Sequence, residues 1–378
     1  MRLVWTEVVA LSAQCEGVQE LETREGAALC YPALTGPCAV GERVLVNTTA
    51  RDLALGTGGV DFVVARAEGG ADDPAFEQDN LPSDGHVMKL RYAPLQYNVL
   101  AVEAQESPYH TVMERVDTLE GIPVVCCGLH SQVPLVAAAI KQVDPSLRVG
   151  YVMTDQAALP LAFSKTVAQC REQELLDATL TCGQAFGGEL EAVNLYSGLL
   201  AACHVQGCDI VIVSIGPGLV GTGTPFGHGG IAQGEAINAV GALGGNPVAC
   251  LRMSFADERE RHQGISHHSL IALGRIAAAS ATVIVPYLEG KQQKRIEAQL
   301  EAFEPRVEHY FAQLEQPSFS EEALRGLRVT TMGRGFQDDP VFFEAAFAAG
   351  AAAGGMARFV EPPSCVKSAP RIDLDLDE

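Results

Sequence analysis

Basic residues are scarce in this chain: 26 Lys and Arg stand against 47 Asp and Glu, a net charge of −21. That balance repels phosphate backbones and anionic bilayers except at a local basic patch, so neither nucleic acid nor a membrane is an expected partner. Part of the acidity lies in the ending Asp373-Leu-Asp-Leu-Asp-Glu378, which reads as a disordered tail over 356–378. Long apolar runs are also lacking. The longest low-charge stretch, near Ala345–Met356, is alanine and glycine, too weakly apolar to favour a bilayer. The opening residues carry Glu7 early and lack the apolar core of a signal peptide, so the expected location is the cytoplasm.

Cysteine is present 11 times, yet no Cys-x-x-Cys pair occurs and only Cys126-Cys127 are adjacent. The common zinc and redox spacings are thereby excluded, and most of these thiols read as small buried apolar groups. No Gly-Lys-Ser/Thr follows the glycine-rich loops, and no His-Glu-x-x-His is found. Ser131 lacks a Gly-x-Ser-x-Gly elbow, which argues against a hydrolase of that type.

What is present is a chain of 378 residues, 47% hydrophobic, long enough for a full core and for two or three domains. Residues 1–70 show short alternating runs between turn signals and predict a small β barrel or sandwich. Residues 71–85 are polar and rich in breakers, as a linker would be. From 86 to 355, strand-length apolar runs such as Val87–Tyr92, Pro123–Leu129, Ile210–Ile215 and Arg328–Met332 alternate with alanine-rich helical stretches. That rhythm predicts an α/β domain with a mainly parallel, helix-covered, Rossmann-like sheet. Ligands of such sheets sit beyond the carboxyl ends of the strands.

The most informative segment is Asp209–Gly230, a β-branched strand opening into Gly216-Pro-Gly-Leu-Val-Gly-Thr-Gly-Thr-Pro-Phe-Gly-His-Gly-Gly230 ahead of a helical pattern at Ile231–Leu243. Its glycines permit close backbone approach, and the helix start supplies free N–H donors, which suits an anion. Gly218, Gly221, Gly223 and Thr224 are the candidate contacts, with Arg252 or Arg261 to neutralise the charge. The alternative is a tight connection in which glycine is steric economy. His130 and Asp155 directly follow predicted strands, and Glu189 with Glu191 falls in the expected first turns of a helix after Gly183-Gln-Ala-Phe-Gly-Gly188. His130, Asp155 and Glu189 are therefore candidates for acid–base work, against helix capping or dipole roles for the two carboxylates. The polar stretch Ser254–Ser269 offers Asp257, His262, His267 and His268 as metal ligands, against a Ser266 helix cap with solvated histidines.

Taken together, Thr35–Thr49, Leu55–Gly59, Gly183–Asn194, Gly216–Thr224, Ser254–Asp257 and Gly264–His268 resemble a bacterial family of unknown function, domain-of-unknown-function family 3866. The resemblance covers most of 1–350 and implies no activity, cofactor or catalytic residue. Pro225 stands where the family is expected to carry arginine, and His228 where a less polar residue is usual, so His228 is a poor choice for an essential group. The leading expectation is a protein that binds a small anionic, phosphorylated or nucleotide-like metabolite at the glycine-rich joints. A metal-dependent hydrolase built on Asp257–His268, and a non-catalytic regulator whose β domain contacts a partner protein, are the alternatives.

Overall fold

The computed structural model describes residues 2–15, 17–52, 59–67, 85–93, 95–314 and 319–360. The linker expected over 71–85 and the acidic tail lie almost wholly outside the described residues. Five strands, β1 (Leu3–Cys15), β2 (Val18–Thr23), β3 (Gly26–Cys30), β4 (Arg43–Asn47) and β5 (Asp61–Arg66), close into a barrel in the order β1-β2-β3-β5-β4. Period-two alternation turns Val8, Leu21, Ala28, Val44, Val46 and Val63 into its core. The barrel rests on the α/β domain through Phe62 against Phe163 and through a Lys165–Glu20 ion pair.

The second domain is built on eight parallel strands: β8 (Pro123–Cys127), β9 (Val149–Thr154), β10 (Ala178–Cys182), β11 (Leu190–Ala192), β12 (Ile210–Ile215), β13 (Asn246–Cys250), β16 (Thr282–Pro286) and β17 (Tyr310–Leu314). Their order is β11-β10-β9-β12-β8-β13-β16-β17. Two small hairpins, β6 (Val87–Lys89) with β7 (Tyr97–Val99) and β14 (Met253–Ser254) with β15 (Gly264–Ile265), stand outside it. The central strands are buried on both faces, which explains their continuous β-branched runs. Adjacent residues point to opposite layers. Cys127 joins the core under the helices Val133–Val143 and Pro340–Ala357, and Cys126 the core under Leu195–His204 and Ala232–Ala242. Both are buried free thiols.

Pro340–Ala357 is the one helix among the described residues long and apolar enough to cross a membrane by length and composition, and 72% of it is buried inside the protein. It lies against Val133–Val143, where Gly350 and Gly354 bring the two backbones close.

Three local expectations are corrected. Arg328–Met332 is not a strand; Leu327 and Val329 are buried in irregular chain, and the sheet edge is β17 instead. Val87–Tyr92 shortens to β6, outside the main sheet. Glu189 and Glu191 do not open a helix. Thr179 N donates to Glu189 Oε2 at 2.8 Å, Thr181 Oγ1 donates to Glu191 Oε2 at 2.7 Å, and Lys89 pairs with Glu191 at 3.0 Å, which draws the segment alongside β10 as β11. The helix starts at Leu195, capped by Asn194, whose side chain accepts from Ser197 N at 3.1 Å.

Candidate functional site

Strand β12 lies between β9 and β8, and the chain leaves the adjacent carboxyl ends of β8 and β12 towards opposite edges of the sheet. A crevice at such a switch point is where open α/β sheets bind ligands. His130 follows β8 there. Its Nε2 is 2.6 Å from Ser164 Oγ, and its Nδ1 is 3.1 Å from Tyr151 Oη and 3.3 Å from Ile215 O. Ser164 Oγ already accepts from Val167 N as the cap of helix Lys165–Glu172. With the ring proton on Nδ1, donated to the acceptor-only Ile215 O, Nε2 would accept the Ser164 hydroxyl proton.

Burial pushes His130 down from 6.5 to about 4. The unfolded chain therefore takes up the proton first. The stabilising contribution is complete above about 6.5 and is lost as pH falls towards 4, by at most roughly 3 kcal/mol. Urea titrations between pH 7 and pH 4.5 are expected to show a shallower loss of stability in His130→Asn than in the wild type. Parallel acid limbs would show that another group sets the slope.

The other two acid–base candidates have structural partners. Asp155 accepts from Gln184 N at 2.9 Å. Glu189 pairs with Arg171 as well as with Thr179 N. Both hold the loops after β9 and β10 in place.

The glycine-rich loop folds back on itself. Thr222 N donates to Gly227 O at 2.8 Å, Gly229 N donates to Val220 O at 2.9 Å, and Gly221 and His228 form an antiparallel bridge. Gly218 and Gly223 turn the chain at φ of 98° and 80°, a region that favours glycine. The hydroxyls of Thr222 and Thr224 are 2.9 Å apart, Thr222 Oγ1 donates to Gly227 O, and Thr224 Oγ1 accepts from Gly227 N. These threonines brace the loop. Its base delivers His228, buried, to the start of the Ala232–Ala242 helix.

Four imidazoles meet at that point. His228 stacks on His268 with ring centres 3.9 Å apart, His267 lies 4.4 Å from His268, and His262 is 5.0 Å from both His267 and His268. Ser266 Oγ caps the helix His267–Ile271 by accepting from His268 N and is 2.7 Å from His262 Nδ1. One nitrogen from each of His228, His267 and His268 falls within 4.8 Å of the others. His228 Nε2 donates to Pro225 O at 3.1 Å, which leaves Nδ1 as a lone pair. That Nδ1 and His267 Nε2 are both buried without a hydrogen-bond partner. Burial, reinforced by nearby arginines, lowers all four rings, His262 to about 3, so they are neutral near pH 7. Neutral imidazoles are the form that binds a metal.

Beside them runs a charge cluster. Arg259 grips Asp257 at two points of 2.8 Å, Arg252 reaches the same carboxylate at 3.4 Å, and Arg334 at 3.7 Å. The Arg259 hydrogen bonds hold Asp257 well below the usual carboxylate range. Asp339 receives Arg334 at 3.2 Å and Ser254 Oγ at 2.7 Å. Arg252, 6% exposed and pulled down to about 10 by burial, also directs Nη1 at His268 Nδ1, 3.3 Å away.

The structure thus brings His267 and His268 together with His228, sets His262 alongside, and commits Asp257 to arginines. No hydrogen bond or ring contact among the described residues joins His130 to this cluster. Arg334 and Asp339 come from a stretch some 80 positions downstream of Asp257 and carry no local signal. His228 had one, its place at the mouth of a helix.

No curated protein and no solved structure matches the chain. The model of a family described as protein of unknown function (DUF3866) matches residues 27–350, from β3 to the middle of the last helix, and the chain belongs to that family.

Proposed function

We propose that this chain is a metal-dependent hydrolase whose divalent ion is held by His228, His267 and His268. The observation that carries the reading is the meeting of one nitrogen from each of His228, His267 and His268 within 4.8 Å, beside two buried nitrogens that have no hydrogen-bond partner, His228 Nδ1 and His267 Nε2. A buried polar atom left unpaired is costly, and a metal ion would satisfy both. An all-imidazole donor set suits zinc or a neighbouring transition metal rather than calcium or magnesium, which prefer oxygen. Three histidines leave a fourth position for water, whose pKa such an ion lowers to about 7. Ligation through His268 Nε2 puts that ring's proton on Nδ1, so Arg252 withdraws to Asp257, which it already touches.

Native mass spectrometry of protein dialysed against zinc is expected to show one ion per chain. His228→Ala and His267→Ala should each lose it, and His262→Gln should keep it. Wild-type zinc content unchanged in both alanine variants would sink the assignment. Release of nitrophenol from 4-nitrophenyl phosphate or acetate by the loaded protein, absent in His267→Ala, is the expected catalytic counterpart.

A further inference from the structure

We propose that the chain carries a second hydrolytic site, at the switch point of the sheet, in which Ser164 is the nucleophile, His130 its base and a small uncharged carboxylic ester the substrate. It uses neither the histidine cluster nor a metal. An alcohol becomes a useful nucleophile when a base within hydrogen-bond reach takes its proton, and that base needs a third group to fix its tautomer. All three parts meet here. Ser164 Oγ is 2.6 Å from His130 Nε2, and Nδ1 of the same ring is 3.3 Å from Ile215 O and 3.1 Å from Tyr151 Oη. A carbonyl oxygen has no proton to give, so it keeps the ring proton on Nδ1 and a lone pair on Nε2.

Capping explains only part of this arrangement. It accounts for the bond from Val167 N to Ser164 Oγ at 3.1 Å, which uses an oxygen lone pair and calls for no imidazole on the hydroxyl proton. The first N–H groups of a helix have no intrahelical partner. Ser164 Oγ takes that of Val167, which leaves those of Lys165 and Thr166, next to the nucleophile, as donors for an oxyanion. A further polar group is unspent: Ser214, 2% exposed, has a hydroxyl with no hydrogen-bond partner. Alternation along β12 turns it to the layer of Ile212 and Tyr151, the layer from which Tyr151 reaches His130. Ser164 is 4% exposed, while His130 and Phe163 are partly open and Lys165 is exposed, so the approach over the imidazole suits a small acyl group.

Ser164 Oγ bonds to the ester carbonyl carbon as its proton passes to His130 Nε2; that proton then leaves on the alcohol oxygen as the C–O bond breaks. Water repeats the exchange on the acyl-serine, its proton passing through Nε2 back to Oγ, and releases the acid. A backbone carbonyl stabilises the transient imidazolium less than a carboxylate does, which restricts the site to esters, whose alcohols depart more readily than amines.

The test treats the full chain, dialysed against a chelator, with a fluorophosphonate, which phosphonylates activated serines with loss of fluoride, and locates the adduct by peptide mass spectrometry. One adduct is expected, on Ser164, formed equally in zinc-loaded protein and accompanied by release of nitrophenol from 4-nitrophenyl acetate without zinc. His130→Asn should slow labelling by about 100-fold or more, the usual worth of a general base. Ser164→Asn, which keeps a good helix cap, should fold as the wild type does by circular dichroism and take no label. No adduct in the folded wild type, an adduct elsewhere, or equal labelling of wild type and His130→Asn overturns the proposal. Because the label forms in chelator, failure of the metal site and failure of this one are read separately.

Discussion

Asp257→Ala is expected to destabilise the protein by about 3–5 kcal/mol, the usual cost of stripping a buried charge of its partner. Arg252 is 6% exposed, and Asp257 is the carboxylate it touches. Without it, Arg252 keeps only the lone pair of His268, while Arg259 and Arg334 lose a shared counter-charge. The same change should weaken zinc binding, since Arg252 has nowhere to withdraw to and stays on His268. Asp257→Asn keeps the shape and part of the hydrogen bonding and should fall between the two. Urea denaturation of the three proteins measures this directly. An unaltered midpoint in Asp257→Ala would mean that water already solvates the three guanidiniums.

Gly350→Leu is expected to damage the fold on a similar scale, about 3 kcal/mol, the upper part of the range for overpacking a core. A Cβ at Gly350 would come 2.9 Å from Ala139 Cβ and closer still to the Val136 backbone. The obstruction is main chain, which cannot turn aside as a long side chain does. The helix Pro340–Ala357 would have to lift from Val133–Val143, opening the layer that holds Phe342, Phe343 and Phe347. Gly355→Ala, further along the same helix and facing open space, is the matched control and should gain about 0.5–1 kcal/mol from helix propensity. Thermal melts that move in opposite directions confirm the seam; a tolerated leucine at 350 refutes it.

How much of this was legible in the sequence depended on whether the deciding contacts were local. The parallel sheet was, because strands buried on both faces, such as Ile210–Ile215 and Val149–Thr154, must be apolar throughout and are spaced by helices. The barrel was, through its alternation. Strand β11 was not, since Leu190–Ala192 is held by Thr179, Thr181 and a lysine about 100 positions earlier, none of which leaves a periodicity. Edge strand β17, Tyr-Phe-Ala-Gln-Leu, has four exposed residues and no buried face to announce it. At the candidate site, His267 and His268 were visible as a polar run after a strand. Adjacent residues of a helix project about 100° apart, yet these two rings lie 4.4 Å from each other. His228 entered only when the glycine-rich loop folded back and brought its base over that helix.

The position of β12 governs the order in which this protein can be assembled. Strands β8 and β9 are made first, but they never pair with each other; β12 fills the gap between them, with Val211 beside Val124 and Ile212 beside Tyr151. During synthesis the first half of the domain therefore leaves the ribosome as two unjoined pieces with bare, strongly apolar edges, and waits for the chain to reach residue 215. Such edges are the classic liability of parallel sheets. Nascent chains halted before that point should be the ones that chaperones hold, and the central strand is the last place at which the sheet tolerates a register error.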